Sequence, residues 1–217
     1  MNKTITVKGI GRATAKPDQV VLSMVLEAQH QAYDRAMALA AQRIQQLEQT
    51  LAAIGFAKDA VKTTDLQVRT QYDRVQAHDG LYQNVFRGYR VTQALKLAFD
   101  FDAERLSQAL AAIGGCLSHP QLSVAFTVKD STAIDEALLR SAAVNAKRKA
   151  EILCQAAGVT LGELRTIDYD WGELDIYSRT RFDCAEDVLP LAASRSIDIT
   201  PEDIDAHDTV TFVWAIG

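Results

Sequence analysis

The chain has 217 residues, 48% of them hydrophobic and 24% charged, with a formal net charge of -5. That is enough apolar material for a core, which excludes a disordered chain, and no run approaches the roughly 18 apolar residues of a membrane-spanning helix. An acidic balance without a basic stripe excludes a phosphate-backbone binder, so no nucleic-acid partner is expected.

In chain order, Ile5 and Val7 alternate with Thr4, Thr6 and Lys8, and the sequence Val20, Leu22, Met24, Leu26, Ala28 keeps the same period of two after Pro17-Asp18. Two such runs flanking a Pro-Asp turn predict a long β-hairpin with one apolar face. From about Ala32 to Ile54 the period changes. Ala40, Ile44, Leu47, Leu51 and Ile54 recur at steps of four and three, the stripe of a helix, and Gly55 follows as its C-terminal cap. A strand through Leu66, Val68, Thr70 and Tyr72 is expected next. Residues 73–88, polar and containing Gly80 and Gly88, read as a loop or an extended hairpin tip. Tyr89, Val91, Gln93, Leu95, Leu97 and Phe99 predict a further strand.

Asp102 is placed to cap a second helix with the stripe Leu106, Leu110, Ile113, ending at Gly114. Here the word LAAIG of residues 51–55 recurs at 110–114, each copy followed by a polar linker and an alternating strand, the second being Leu122, Val124, Phe126 and Val128. The matched context predicts two βαβ-like repeats, at about 20–75 and 89–128. A third helix opens on Thr132 and Asp135, spaced like a capping box. Ala137, Ala142, Ala146 and Ala150 keep one of its faces small, and Gly158 stops it. Leu164, Thr166 and Asp168 predict a short strand. Residues 170–196 have no period, contain Trp171, Tyr177 and Phe182, and are too long for an ordinary connection, so an irregular excursion is expected. Val210, Phe212, Trp214 and Ile216 form the closing strand. The fold class is α+β: an antiparallel-rich mixed sheet with three main helices, read as one domain over residues 1–217.

No set of residues assembles into recognisable chemistry. Cys116, Cys154 and Cys184 are odd in number and widely spaced, unlike metal pairs or disulfide frameworks, and read as reduced thiols. Gly9-Ile10-Gly11 follows a strand but opens no helix, so close backbone approach fits it better than a dinucleotide turn. Cys116 and His119 form a conceivable thiolate–imidazole pair without an orienting carboxylate. His30, His78 and His207 stand singly. The acidic segment Asp198–Asp208 lacks the central glycine and closing glutamate of a calcium loop and reads as a solvated turn. Lys147-Arg148-Lys149 reads as a solvent face of the third helix. No catalytic, cofactor-binding or metal residue is therefore assigned, and no cofactor is expected.

Residues 1–100 carry 13 Lys/Arg against 9 Asp/Glu, a net of +4, and residues 101–217 carry 10 against 19, a net of -9. Such asymmetry would steer head-to-tail association, although solvated faces folded together explain it more simply. The alternation starting at Ile5 leaves no room for the basic segment and apolar stretch of an export signal. As written, the chain is expected in the cytoplasm, or in the periplasm or outside the cytoplasm if a leader has been removed.

The order and spacing of several segments resemble the SIMPL-domain family. They are residues 5–11 leading to Pro17-Asp18, Thr63-Thr64-Asp65-Leu66 leading to Tyr72, Gly88-Tyr89, Phe126, the alanine ladder with Lys147, Ala150 and Gly158, Leu161-Gly162, and Ile199-Thr200-Pro201. The resemblance implies an antiparallel sheet with packed helices, ring-like or channel-like homo-oligomers, and a poorly defined role associated in bacterial members with the envelope and oxidative stress. It supplies no catalytic residues to carry over. Many members have an export signal, and Pro-Gly before the last strand where this chain has Pro201-Glu202. The reading that results is a non-enzymatic, oligomer-forming interaction protein. Its rival is a small-molecule or metal-ion binder, or a hydrolase, using residues 170–196 as a lid.

Overall fold

A computed structural model describes residues 3–76, 82–170, 174, 176–184 and 199–217. Among these, the chain runs β1 (Thr4–Ala15), β2 (Gln19–His30), α1 (Tyr33–Ala53), β3 (Val61–Gln76), β4 (Tyr82–Asp100), α2 (Ala103–Gly114), β5 (Gln121–Thr127), α3 (Thr132–Ala157), β6 (Leu161–Asp168), β7 (Tyr177–Cys184) and β8 (Ile204–Ile216). The strands form two antiparallel sheets, ordered β1-β8-β6 and β3-β4-β2-β5-β7. The fold is α+β. Backbone contacts divide the chain into two compact units. One comprises residues 1–18, 127–179 and 201–217, the other residues 19–126 and 180–200.

The second unit holds the larger core. Val20, Leu22, Met24 and Leu26 of β2 alternate inward beside Leu95, Leu97 and Phe99 of β4, the expected consequence of a period of two on a half-buried sheet. Leu47 and Leu51 from α1, and Leu106, Leu110 and Ile113 from α2, close over them. Asp102 caps α2 as the sequence predicts, its Oδ1 accepting a hydrogen bond from the Arg105 N–H at 2.7 Å. The two LAAIG words end α1 and α2, and both bring their leucine into this one core. Their glycines differ: Gly55 takes a φ of +90°, whereas Gly114 stays helical and Gly115 is the cap. Strands joined through a helix are not neighbours. β4 lies between β2 and β3, and β2 lies between β4 and β5, so the βαβ-like repeats are split ones.

Of the two readings of residues 73–88, loop or extended hairpin, the described ones take the second. β3 and β4 remain paired out to Gln76 and Tyr82, in a ribbon whose tip, residues 77–81, lies outside the described residues. Adjacent polar pairs such as Asp73-Arg74 and Gln83-Asn84 break the alternation here, as a ribbon solvated on both faces allows.

In the first unit, β1 pairs with β8 along its whole length, from Thr4 with Ala215 to Ala15 with Ile204. The predicted hairpin between β1 and β2 does not form, because β2 pairs with β4 in the other sheet. Alternation marks a strand and its faces, not its partner. At the link, Asp18 instead donates its backbone N–H to the Thr127 carbonyl at 3.0 Å and accepts from the Lys129 N–H at 2.8 Å.

Helix α3 lies directly on β1. Leu138, Ala142, Ala146, Ala150 and Cys154 are buried at steps of four, while Ala137, counted in the small face by sequence, is exposed and one position out of register. Two glycines set the distance. A Cβ on Gly9 would lie 2.1 Å from the Ala142 carbonyl oxygen, and one on Gly11 2.1 Å from that of Leu138. Close approach is thus the role of this glycine pair, and β1 continues as strand beyond it. The capping-box reading of Thr132 and Asp135 is corrected. Ser131 precedes the helix and its hydroxyl donates to Asp135, while Asp130 accepts the Thr132 N–H at 2.9 Å. Hydrogen bonds from the Thr132 side chain and backbone hold the Asp130 carboxyl below its ordinary pKa.

Candidate functional site

The chemically suggestive residues separate into structural roles. Cys116 is buried, with its sulfur 3.0 Å from the Ser118 hydroxyl and 3.5 Å from the Thr50 hydroxyl, which donates to it. Its partners are thus hydroxyls and not His119, whose side chain is exposed on a residue with φ of 43°. The His30 Nδ1 accepts the Ala32 N–H at 2.9 Å and shapes the turn into α1. His78 and Asp198 lie outside the described residues, as does Trp171 of the expected lid. Tyr177 opens β7.

The acidic segment is not simply a turn. Residues 204–208 are strand, with Asp205 opposite Thr14 and His207 opposite Arg12. Asp208 accepts a hydrogen bond from the Tyr169 hydroxyl, which raises the phenol above its ordinary pKa, and burial and the Asp208 and Asp135 charges act in the same direction. Among the described residues, no group of three or more His, Cys, Asp or Glu side chains converges.

Lys147 and Arg148 are exposed as expected, but Lys149 turns inward and donates to the Lys8 carbonyl at 3.0 Å. It completes a ladder, with Asn145 accepting the Ile10 N–H at 3.0 Å and Ser141 the Arg12 N–H at 3.1 Å. Four helical residues rise about 6 Å and two strand residues about 6.6 Å, so helix steps of four match strand steps of two. Side chains of α3 thereby occupy the Lys8 carbonyl and the Ile10 and Arg12 N–H groups at the middle of the outer edge of β1, where an open edge would invite pairing with another chain.

Among the described residues, no comparable cover protects the β3–β4 ribbon. Leu66, Val68, Tyr72, Val75, Tyr82, Val85 and Phe86 are all exposed on it, Tyr72 to 57% and Tyr82 to 59%. The register places Tyr72 opposite Phe86 and Gln76 opposite Tyr82, so these aromatic residues share one face. Tyr72 meets Phe86 edge-on with ring centres 5.7 Å apart, Phe86 meets Tyr89 at 5.4 Å, and Tyr89 meets Tyr33 at 5.5 Å. The Arg74 guanidinium lies 4.9 Å over the Tyr82 ring. Arg87 pairs with Asp73. Sequence reasoning did not single out this surface, although the spacing of Tyr82 and Phe86 by four residues sets both rings on one face of a strand.

Gly88 anchors the ribbon where it leaves the covered part of the sheet. It takes a φ of +136°, and a Cβ there would lie 2.5 Å from the His30 carbonyl oxygen. No helix among the described residues is long and apolar enough to cross a membrane.

Among curated proteins none matches this chain. A family model described as SIMPL, protein of unknown function (DUF541), matches residues 5–214, nearly the whole length. Matched over nearly its whole length, the chain belongs to the SIMPL family.

Proposed function

We propose that this protein is a non-enzymatic assembly protein that associates with further copies of itself through the β3–β4 ribbon. The observation that carries the reading is the exposure of Tyr72, Val75, Tyr82, Val85 and Phe86 where β3 and β4 run on without β2, with Leu66 and Val68 exposed further along β3. A bare two-stranded hairpin is marginal in water, and contiguous exposed apolar surface of this kind marks an interface. Charge supports a second copy as the occupant. Residues 61–91 hold five Lys/Arg (Lys62, Arg69, Arg74, Arg87, Arg90) against Asp65, Asp73 and Asp79, a net of +2, which leaves -7 of the total -5 for the rest of the chain. A basic, aromatic arm meeting an acidic body is the pairing that opposite fields favour.

The arm and the body it meets are different surfaces, so the contact is head-to-tail and closes only as a ring or grows as a filament. Light scattering over rising protein concentration tests the reading. Mass above the 23.8 kDa chain, increasing with concentration and falling with salt, is expected; a strict monomer at high concentration contradicts it.

A further inference from the structure

The outer face of the β1–β8 pair carries a second surface that the assembly reading does not use. Since Gly9, Gly11 and Ala13 point toward α3 and its surroundings, alternation sends Ile10, Arg12 and Thr14 to the opposite face. The register sets Arg12 opposite His207 and Thr14 opposite Asp205. Arg179 of β7 joins them around an open cleft of ≈ 640 Å³. The Thr14 hydroxyl donates to Asp205 Oδ1 at 3.1 Å, which occupies the one carboxylate lining this cleft. Among the described residues no ion pair engages Arg12, Arg179 or His207. Two guanidinium forks and an imidazole thus line one cleft beside a single carboxylate.

We infer that this cleft binds a small oxyanion, a phosphate or a carboxylate, held by Arg12 and Arg179 with His207 as an additional donor. Guanidinium is suited to the task, because its planar fork meets two oxygens of one anion at once. Thr14 keeps Asp205 turned into a hydrogen bond of its own, which limits repulsion of the incoming charge. Ile10 supplies the apolar rim, which suits an anion on a small organic body.

Isothermal titration of the full chain with inorganic phosphate, and in parallel with succinate, at matched ionic strength, tests the inference and separates the two anion classes. Saturable binding of either anion at about 1 mM or tighter is expected. The variants Arg12→Ala and Arg179→Ala should each weaken it at least about tenfold, the loss of a hydrogen-bonded charge contact, and Arg12→Lys should weaken it while keeping the charge. Thermal melts of the three variants confirm folding, and Arg179→Ala, exposed on β7, carries the test if Arg12→Ala does not fold. No saturable heat with either anion overturns the site, as does binding untouched by both alanine variants.

Discussion

At the scale of single residues, the glycines of β1 bear the sharpest consequence. Gly11→Ala puts a methyl against the Leu138 carbonyl, with backbone on both sides and no flexible side chain to yield. The helix must lift, and overpacking of this kind costs about 2–3 kcal/mol. For a chain of this size the melting temperature should fall by about 4–12 °C; an unchanged melt would show that α3 does not rest on β1 as described. Tyr169 gives a second residue-level test. Its folded pKa is raised, so the stabilisation it contributes is fully present below about pH 10, the unfolded value, and is lost as pH rises through the folded value. The wild type should therefore lose stability over that alkaline window by more than Tyr169→Phe, as followed by denaturant melts at stepped pH. Equal alkaline losses would remove the Tyr169–Asp208 hydrogen bond from the account.

At the scale of elements, the strands and helices were largely legible and their partners were not. The stripe Leu47, Leu51 and the alternation Val20 to Leu26 name their own faces, because periods of 3.6 and 2 leave direct traces in hydrophobicity. Nothing in β1 or β2 states that their partners are β8 and β4, since strand pairing is settled by the whole apolar surface to be covered. The ribbon's sequence stays open between a loop and an extended hairpin for a related reason. With both faces solvated, Arg74, Asn84 and Gln76 sit among Tyr72, Tyr82 and Phe86, and the mixture resembles a polar loop. The same logic makes the ribbon a safe place to mutate. Tyr72→Ser with Phe86→Ser removes exposed rings only, so the melt should move by no more than a few degrees while self-association weakens markedly by light scattering. A large drop in melting temperature would mean that these rings stabilise the monomer and do not serve association.

At the scale of the whole molecule, two of the edge strands, β1 and β3, are treated in opposite ways. Ser141, Asn145 and Lys149 seal β1, spending helix side chains on backbone groups. Among the described residues, β3 is exposed over most of its length and carries an aromatic face beside it. The sealing shows what protection from unwanted pairing looks like in this fold, and its absence on the ribbon is what the assembly reading explains. The candidate chemistry in the sequence, by contrast, dispersed. Cys116 went to hydroxyls in a core, and the acidic segment became a strand edge of Arg12, His207 and Asp205, a juxtaposition of residues some 195 positions apart that only the β1–β8 register creates.

The most direct test of the ribbon as an interface is amide hydrogen exchange of residues 61–91 as a function of protein concentration. Amides of Leu66 to Tyr72 and of Val85 to Tyr89 should exchange slowly in concentrated samples and speed up on dilution, while those of β1 and α3 stay constant. Exchange in the ribbon that does not change with concentration, in a sample that light scattering shows to be changing its mass, would contradict the account.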